Sequence, residues 1–132
     1  GYDQLQSLIT NNVVPGFANA CSSDKAFFMP ATTVFPSTTV TALTSAATAY
    51  ATAQHGVTST TAYLREIGAL VSLLGWRPYT APTSASYTDE QLNPDKLVTV
   101  PNIYLRMEKA GIDVGIVNYR GFKNTSISRY TT

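Results

Sequence analysis

The 132-residue chain sets nine Lys and Arg against eight Asp and Glu, a net charge of +1, and charged residues make up only 13% of it against 44% hydrophobic. That balance excludes the overall basic bias of a protein that engages nucleic acid with its whole surface, so any basic site must be local. The single cysteine, Cys21, excludes an internal disulfide, and one histidine, His55, gives no support to a metal site of several imidazoles and thiolates.

The length fits a single domain, residues 1–132, able to bury roughly two-thirds of its unfolded surface. Its charged share is about half that usual for a soluble globular protein, the deficit being filled by Thr, Ser and Ala. Such a surface suits either cover by neighbouring subunits or a secreted protein with a neutral polar exterior. No apolar run approaches the roughly 18 residues that cross a bilayer. The numbering starts at Gly1 without an initiator Met, which raises the expectation of a matured fragment or subunit of a larger assembly.

Taken in order, residues 2–12 place Tyr2, Leu5, Leu8 and Ile9 on one face and predict a short helix, with Asp3 as its cap and Asn11 and Asn12 as its stop. Residues 13–21, broken by Pro15 and Gly16, are assigned no element, and Cys21 is read as a packed thiol rather than a nucleophile. Residues 25–29 and 32–35 are rich in aromatic and β-branched side chains and predict two short edge strands separated by Pro30.

Residues 37–55 carry Val40, Leu43, Ala47 and Tyr50 on one helical face and predict a helix, the rival reading being a Thr-rich linker. The most strongly patterned stretch follows. Leu64, Ile67, Val71 and Leu74 recur at steps of three and four, Ser59 or Thr60 offers a cap, and Gly75 with Pro78 offers a stop. These signals predict a helix over 60–75 that forms a helical hairpin with 37–55.

Residues 77–87 have the composition of a loop, and Thr88 to Gln91 fits a capping box opening one helical turn before Pro94. Residues 97–100 read as a strand, 101–110 as a helix closing at Gly111, and 112–119 as a strand, with a hairpin turning at 109–111 as the alternative to that helix. A last short strand is expected over 126–130. The fold class implied is α+β, a helical hairpin packed with a small C-terminal sheet; the alternative is mainly α.

No sequence motif for catalysis or cofactor binding emerges. No serine lies in the Gly-x-Ser-x-Gly spacing, His55 sits at an expected helix end, and the carboxylates Asp3, Asp24, Glu66, Asp95, Glu108 and Asp113 are scattered. Asp89 and Glu90 fall in a first helical turn, where acids sit for dipole reasons. No Gly-rich phosphate loop is present. The expectation is a non-enzyme with no metal and no cofactor.

One cluster stands apart. Tyr119, Arg120, Phe122, Lys123, Arg129 and Tyr130 combine three cations with three aromatics and no acid, a composition suited to phosphate neutralisation and base stacking on a single strand. A subunit contact is the competing use of the same residues. Asn124-Thr125-Ser126 is a formal glycosylation acceptor. Together these features point to a structural protein: a self-assembling, oligomeric subunit of a virion (a capsid protein) or of an extracellular filament. Its expected partners are copies of itself or other subunits, with packaged nucleic acid on the C-terminal stretch and no membrane span. The alternatives are a secreted or surface binding module and, more remotely, a small enzyme around Tyr79, Asp89 and Arg106.

Overall fold

A computed structural model describes residues 1–123 and 125–131. The chain divides into two compact units, Gly1–Thr32 and Thr33–Thr132.

The first unit holds two helices. α1 (Tyr2–Thr10) follows the amphipathic spacing of its sequence, but Gly1 occupies the cap position and Asp3 lies in the first turn. α2 (Pro15–Cys21) forms where no element was expected, because Pro15 sits at the start of the helix, where its missing N–H costs nothing and its fixed φ is already helical. No residue of either helix is buried, and Cys21 is half-buried. Tyr2 stacks on Phe28 with ring centroids 5.3 Å apart. The edge strands expected at 25–29 and 32–35 are absent, since neither run has a strand beside it to complete a ladder.

The second unit begins with α3 (Thr39–Thr48), capped by the Thr38 side chain. The predicted 37–55 helix breaks at Ala49, which takes a left-handed conformation (φ 58°), and resumes briefly as α4 (Thr52–His55). The buried face of α3 keeps Val40 and Ala47 of the expected stripe but is completed by Thr41, Thr44, Ser45 and Thr48 rather than by Leu43. Threonine is tolerated there because its hydroxyl is satisfied within the helix: Thr44 Oγ1 donates to the Val40 carbonyl at 2.8 Å and Thr48 Oγ1 to the Thr44 carbonyl at 2.7 Å. Leu43 is left exposed.

The helix expected over 60–75 is instead a β-hairpin. β1 (Thr61–Leu64) pairs antiparallel with β2 (Ala69–Ser72), and β2 pairs with β3 (Arg77–Pro78), giving a sheet in the order β1-β2-β3. The same residues satisfy a period of two: Ala62 and Leu64 pack on the core and Val71 and Leu73 are buried, while Tyr63 and Leu70 point to solvent. Gly68 closes the four-residue turn at φ 62°, a conformation that suits glycine and that a continuing helix does not contain. Strand-favouring Thr61, Tyr63 and Val71 add to this preference.

Residues 77–87 form the expected loop apart from the short β3. The turn at Thr88 is present, with its N–H donating to Gln91 Oε1 at 3.0 Å and Leu92 N–H to the Thr88 carbonyl at 2.9 Å. Pro94–Lys96 makes one 3₁₀ turn, and 97–100 is not a strand; Leu97 and Val98 pack against the core from irregular backbone. α5 (Ile103–Lys109) is capped by Asn102, whose Oδ1 accepts from Leu105 N–H at 2.8 Å, and Gly111 follows its end.

The C-terminal sheet is also corrected. Residues 112–119 are irregular, with Val117 fully exposed, because no strand lies beside them. Residues 126–130 belong to a helix, α6 (Ser126–Thr131), which buries Ile127, Tyr130 and Thr131 at helical spacing. Thr125 Oγ1 accepts from Ser128 N–H at its start. The class is therefore α+β, with its sheet in the middle of the chain.

The core joins α3, the sheet and α6 through Val40, Val57, Val71, Leu73, Trp76, Ile127 and Tyr130. Trp76 Nε1 donates to the Leu92 carbonyl at 2.8 Å and Ser126 Oγ to the Leu73 carbonyl at 2.9 Å, so the polar atoms of two core residues also tie distant segments together.

Candidate functional site

The C-terminal cluster splits in two. Tyr119 is 70% exposed and Phe122 54% exposed, their rings meeting edge to face with centroids 5.3 Å apart. Gly121 permits this approach: a Cβ there would stand 2.5 Å from the Tyr119 ring. Arg120 and Lys123 are exposed beside them, and Arg120–Phe122 forms a 3₁₀ turn. These four residues present two cations and two aromatics within five positions.

Arg129 and Tyr130 lie elsewhere. Arg129 is half-buried and bidentate on Asp95, with Nε to Oδ1 at 3.0 Å and Nη2 to Oδ2 at 2.7 Å, while Nη1 reaches Asp89 Oδ1 at 2.6 Å. The hydrogen bonds it donates to Asp95 and Asp89 hold its guanidinium above the usual arginine range, and the Asp89 carboxyl lies below the usual carboxylate range through the bond from Arg129. This arginine joins α6 to the 88–96 segment, and its charge is matched inside the protein. Tyr130 is buried with no hydrogen-bond partner for its hydroxyl among the described residues, and burial pushes its phenol well above the usual tyrosine range. The exposed basic and aromatic surface thus comprises Tyr119, Arg120, Phe122 and Lys123. The acceptor Asn124 lies outside the described residues.

His55 shows a second arrangement with chemical interest. It is buried, and Nδ1 accepts from Val57 N–H at 3.1 Å, which leaves the proton of the neutral ring on Nε2. Nε2 then donates to Ser45 Oγ at 2.8 Å. A serine nucleophile needs the reverse, an imidazole nitrogen free to take its proton. Burial also lowers the His55 pKa from its ordinary value, consistent with a neutral structural residue. Among the described residues no group of three or more His, Cys, Asp or Glu is arranged to hold a metal ion, and no helix is long and apolar enough to cross a membrane. Tyr79 is exposed, Asp89 belongs to the Arg129 network, and Arg106 donates to Tyr50 Oη at 2.8 Å.

The second unit also contains an apolar cavity of about 540 Å³. Its walls come from α3 (Leu43, Ala46, Ala47), Leu74, Ile116, Phe122 and Ile127. The sequence reading missed it. Leu43 and Leu74, whose spacing predicts core faces, are both about half exposed and line this space. The available signal was an excess of aliphatic residues over what α3 needs for one buried face. Compared with known proteins, the chain matches no family model, no curated protein and no solved structure.

Proposed function

We propose that the chain is a structural subunit of a large assembly, a virus or phage particle of capsid type or an extracellular filament, acting through contacts rather than catalysis. One observation carries this reading: α1 and α2 bury no residue, and their unit leaves Val13, Phe17, Phe27 and Met29 exposed on a chain with only 13% charged residues. Large apolar side chains in that number are stabilised when a neighbour covers them. Phe35, 90% exposed, adds another such contact in the second unit. Tyr119, Arg120, Phe122 and Lys123 then supply a local surface for packaged nucleic acid, where two cations neutralise phosphates and two rings stack on unpaired bases. The protonated Nε2 facing Ser45 supports the non-enzymatic reading.

The test is the mass of native material by light scattering after size-exclusion chromatography, with the ratio of nucleic-acid to protein absorbance read across the peak. The expected species is many times heavier than 14.2 kDa. A monomer of that mass, unchanged on concentration, overturns the proposal. A second reading, a secreted or surface binding module, draws support from the apolar cavity beside α3.

A further inference from the structure

The cavity beside α3 has a lining whose chemistry is specific. Its volume of about 540 Å³ is in the usual range for small-molecule sites and is several times that of a single aromatic side chain. Among the described residues, no Asp, Glu, Lys, Arg or His lines it. Three of its hydroxyls are already engaged within the chain: Thr125 Oγ1 donates to the Phe122 carbonyl at 3.1 Å, Ser128 Oγ to the same carbonyl at 2.6 Å, and Thr131 Oγ1 to the Ile127 carbonyl at 2.6 Å. The lining therefore makes no demand for a charged ligand and little demand for a polar one, whereas Leu43, Leu74, Ile116 and Phe122 remain half exposed around it. Thr39, Tyr104 and Asn118 are the other polar residues of the lining available to orient an occupant, Asn118 Oδ1 already accepting from Tyr119 N–H at 2.8 Å.

We propose that this cavity binds an uncharged, mainly hydrocarbon small molecule whose one polar group meets Thr39, Tyr104 or Asn118. A charged group seated inside would lose its hydration without gaining a counter-charge, which disfavours charged occupants. A hydrocarbon occupant would remove from water both its own surface and the exposed faces of Leu43, Leu74 and Phe122. The inference rests on the cavity and not on the assembly reading, and the binding module is the reading that it deepens.

The experiment is a fluorescence titration of the intact chain with the neutral probe N-phenyl-1-naphthylamine, followed by competition with 1-decanol. The expected result is one saturable site, displaced by decanol. Ala46→Phe places a ring in the cavity from an exposed position of α3, and Leu43→Ser removes an exposed wall. Each is expected to weaken the probe by roughly ten-fold or more while the thermal midpoint stays close to that of the parent. Leu70→Ser, at an exposed position outside the cavity lining, is the control for probe held by any exposed apolar side chain, and it leaves affinity unchanged. Absence of saturable binding overturns the proposal, as does equal weakening by Leu70→Ser. Binding that falls as protein concentration rises also overturns it, by assigning the cavity to a second copy of the chain. None of these results depends on the mass measurement, so failure of the ligand proposal and failure of the assembly proposal are separately visible.

Discussion

In Thr33–Thr132 the large apolar residues Val71, Leu73 and Trp76 are buried, and the polar residues buried with them, Thr44, Thr48, Ser45 and His55, are hydrogen-bonded inside the unit. In Gly1–Thr32 two helices form, the first from clear local signals and the second on Pro15, yet neither buries a residue, and Val13, Phe17 and Phe27 face solvent. Helix propensity and capping are local properties and operate in both units. Burial is not local, and a helix of seven or nine residues is marginal in water without packing. The difference assigns internal stability to the second unit, whose core is buried and hydrogen-bonded, while the helices of the first bury no residue; under the proposed assembly, the apolar side chains of the first would meet a neighbour.

The comparison is broken most directly at Leu73. It is 1% exposed at the centre of the core, so Leu73→Ala is expected to cost about 2–5 kcal/mol in chemical denaturation, through lost transfer energy and the cavity left behind. Ser45→Ala comes next. It leaves the buried Nε2–H of His55 without its acceptor, at a cost of about 1–3 kcal/mol on the same measurement. A loss below about 0.5 kcal/mol in both variants would remove the assignment of internal stability to this unit.

The sequence made some of this legible. α1, α5 and the Thr88 turn carry caps and stops within a few residues of one another, and each forms close to its expected place. The hairpin was hidden because 61–74 satisfies two periods at once. Leu64, Ile67, Val71 and Leu74 fit a helix, while the pairs Ala62 with Leu64 and Val71 with Leu73 fit strands. The choice between them is made by the Gly68 turn and by the core that α3 and α6 provide, and that core is a tertiary fact. Strands expected at 97–100 and 112–119 failed for the complementary reason, since their patterns had no partner to pair with. Within the candidate site, the composition of 119–123 was readable, but the fate of Arg129 was not. Its carboxylate partners lie 34 and 40 residues away in sequence, and only the fold brings Asp95 and Asp89 to it. The cavity was hidden by the buried threonines of α3, which replace Leu43 in the core and leave it to line the opening.

Tyr130→Phe sharpens the comparison in the opposite direction. Its buried hydroxyl has no partner among the described residues, so deleting the oxygen while keeping the ring is expected to raise stability by up to about 1 kcal/mol. A clear loss on the same denaturation measurement would show that the hydroxyl is bonded in solution. A smaller effect follows from His55. Burial lowers its folded-state pKa below the ordinary 6.5, so the unfolded chain binds the extra proton more readily. The stabilisation from the neutral ring is fully present above the unfolded value of about 6.5 and is lost as the pH falls from there through the folded value. Thermal midpoints should therefore decline on acidification below that point, and His55→Asn should flatten the decline. An unchanged slope in the variant would assign it to other groups.

The smallest expected effect on folding is the most telling for the first unit. Phe17 is exposed on α2, so Phe17→Ser removes an aromatic ring that touches little within its own chain, and its cost to the dissociated chain should lie within about 0.5 kcal/mol. In an assembly the same ring is covered, and truncating an aromatic anchor at a packed contact commonly costs about 2 kcal/mol or more of association energy. The two measurements should separate, with denaturation of the dissociated chain unchanged and the light-scattering mass of native material shifted toward smaller species. A variant that unfolds the dissociated chain would place Phe17 in an internal core. A variant that leaves both measurements unchanged would show that α2 faces solvent in the functional state, and the contact surface would then have to be sought at Phe35 in the second unit.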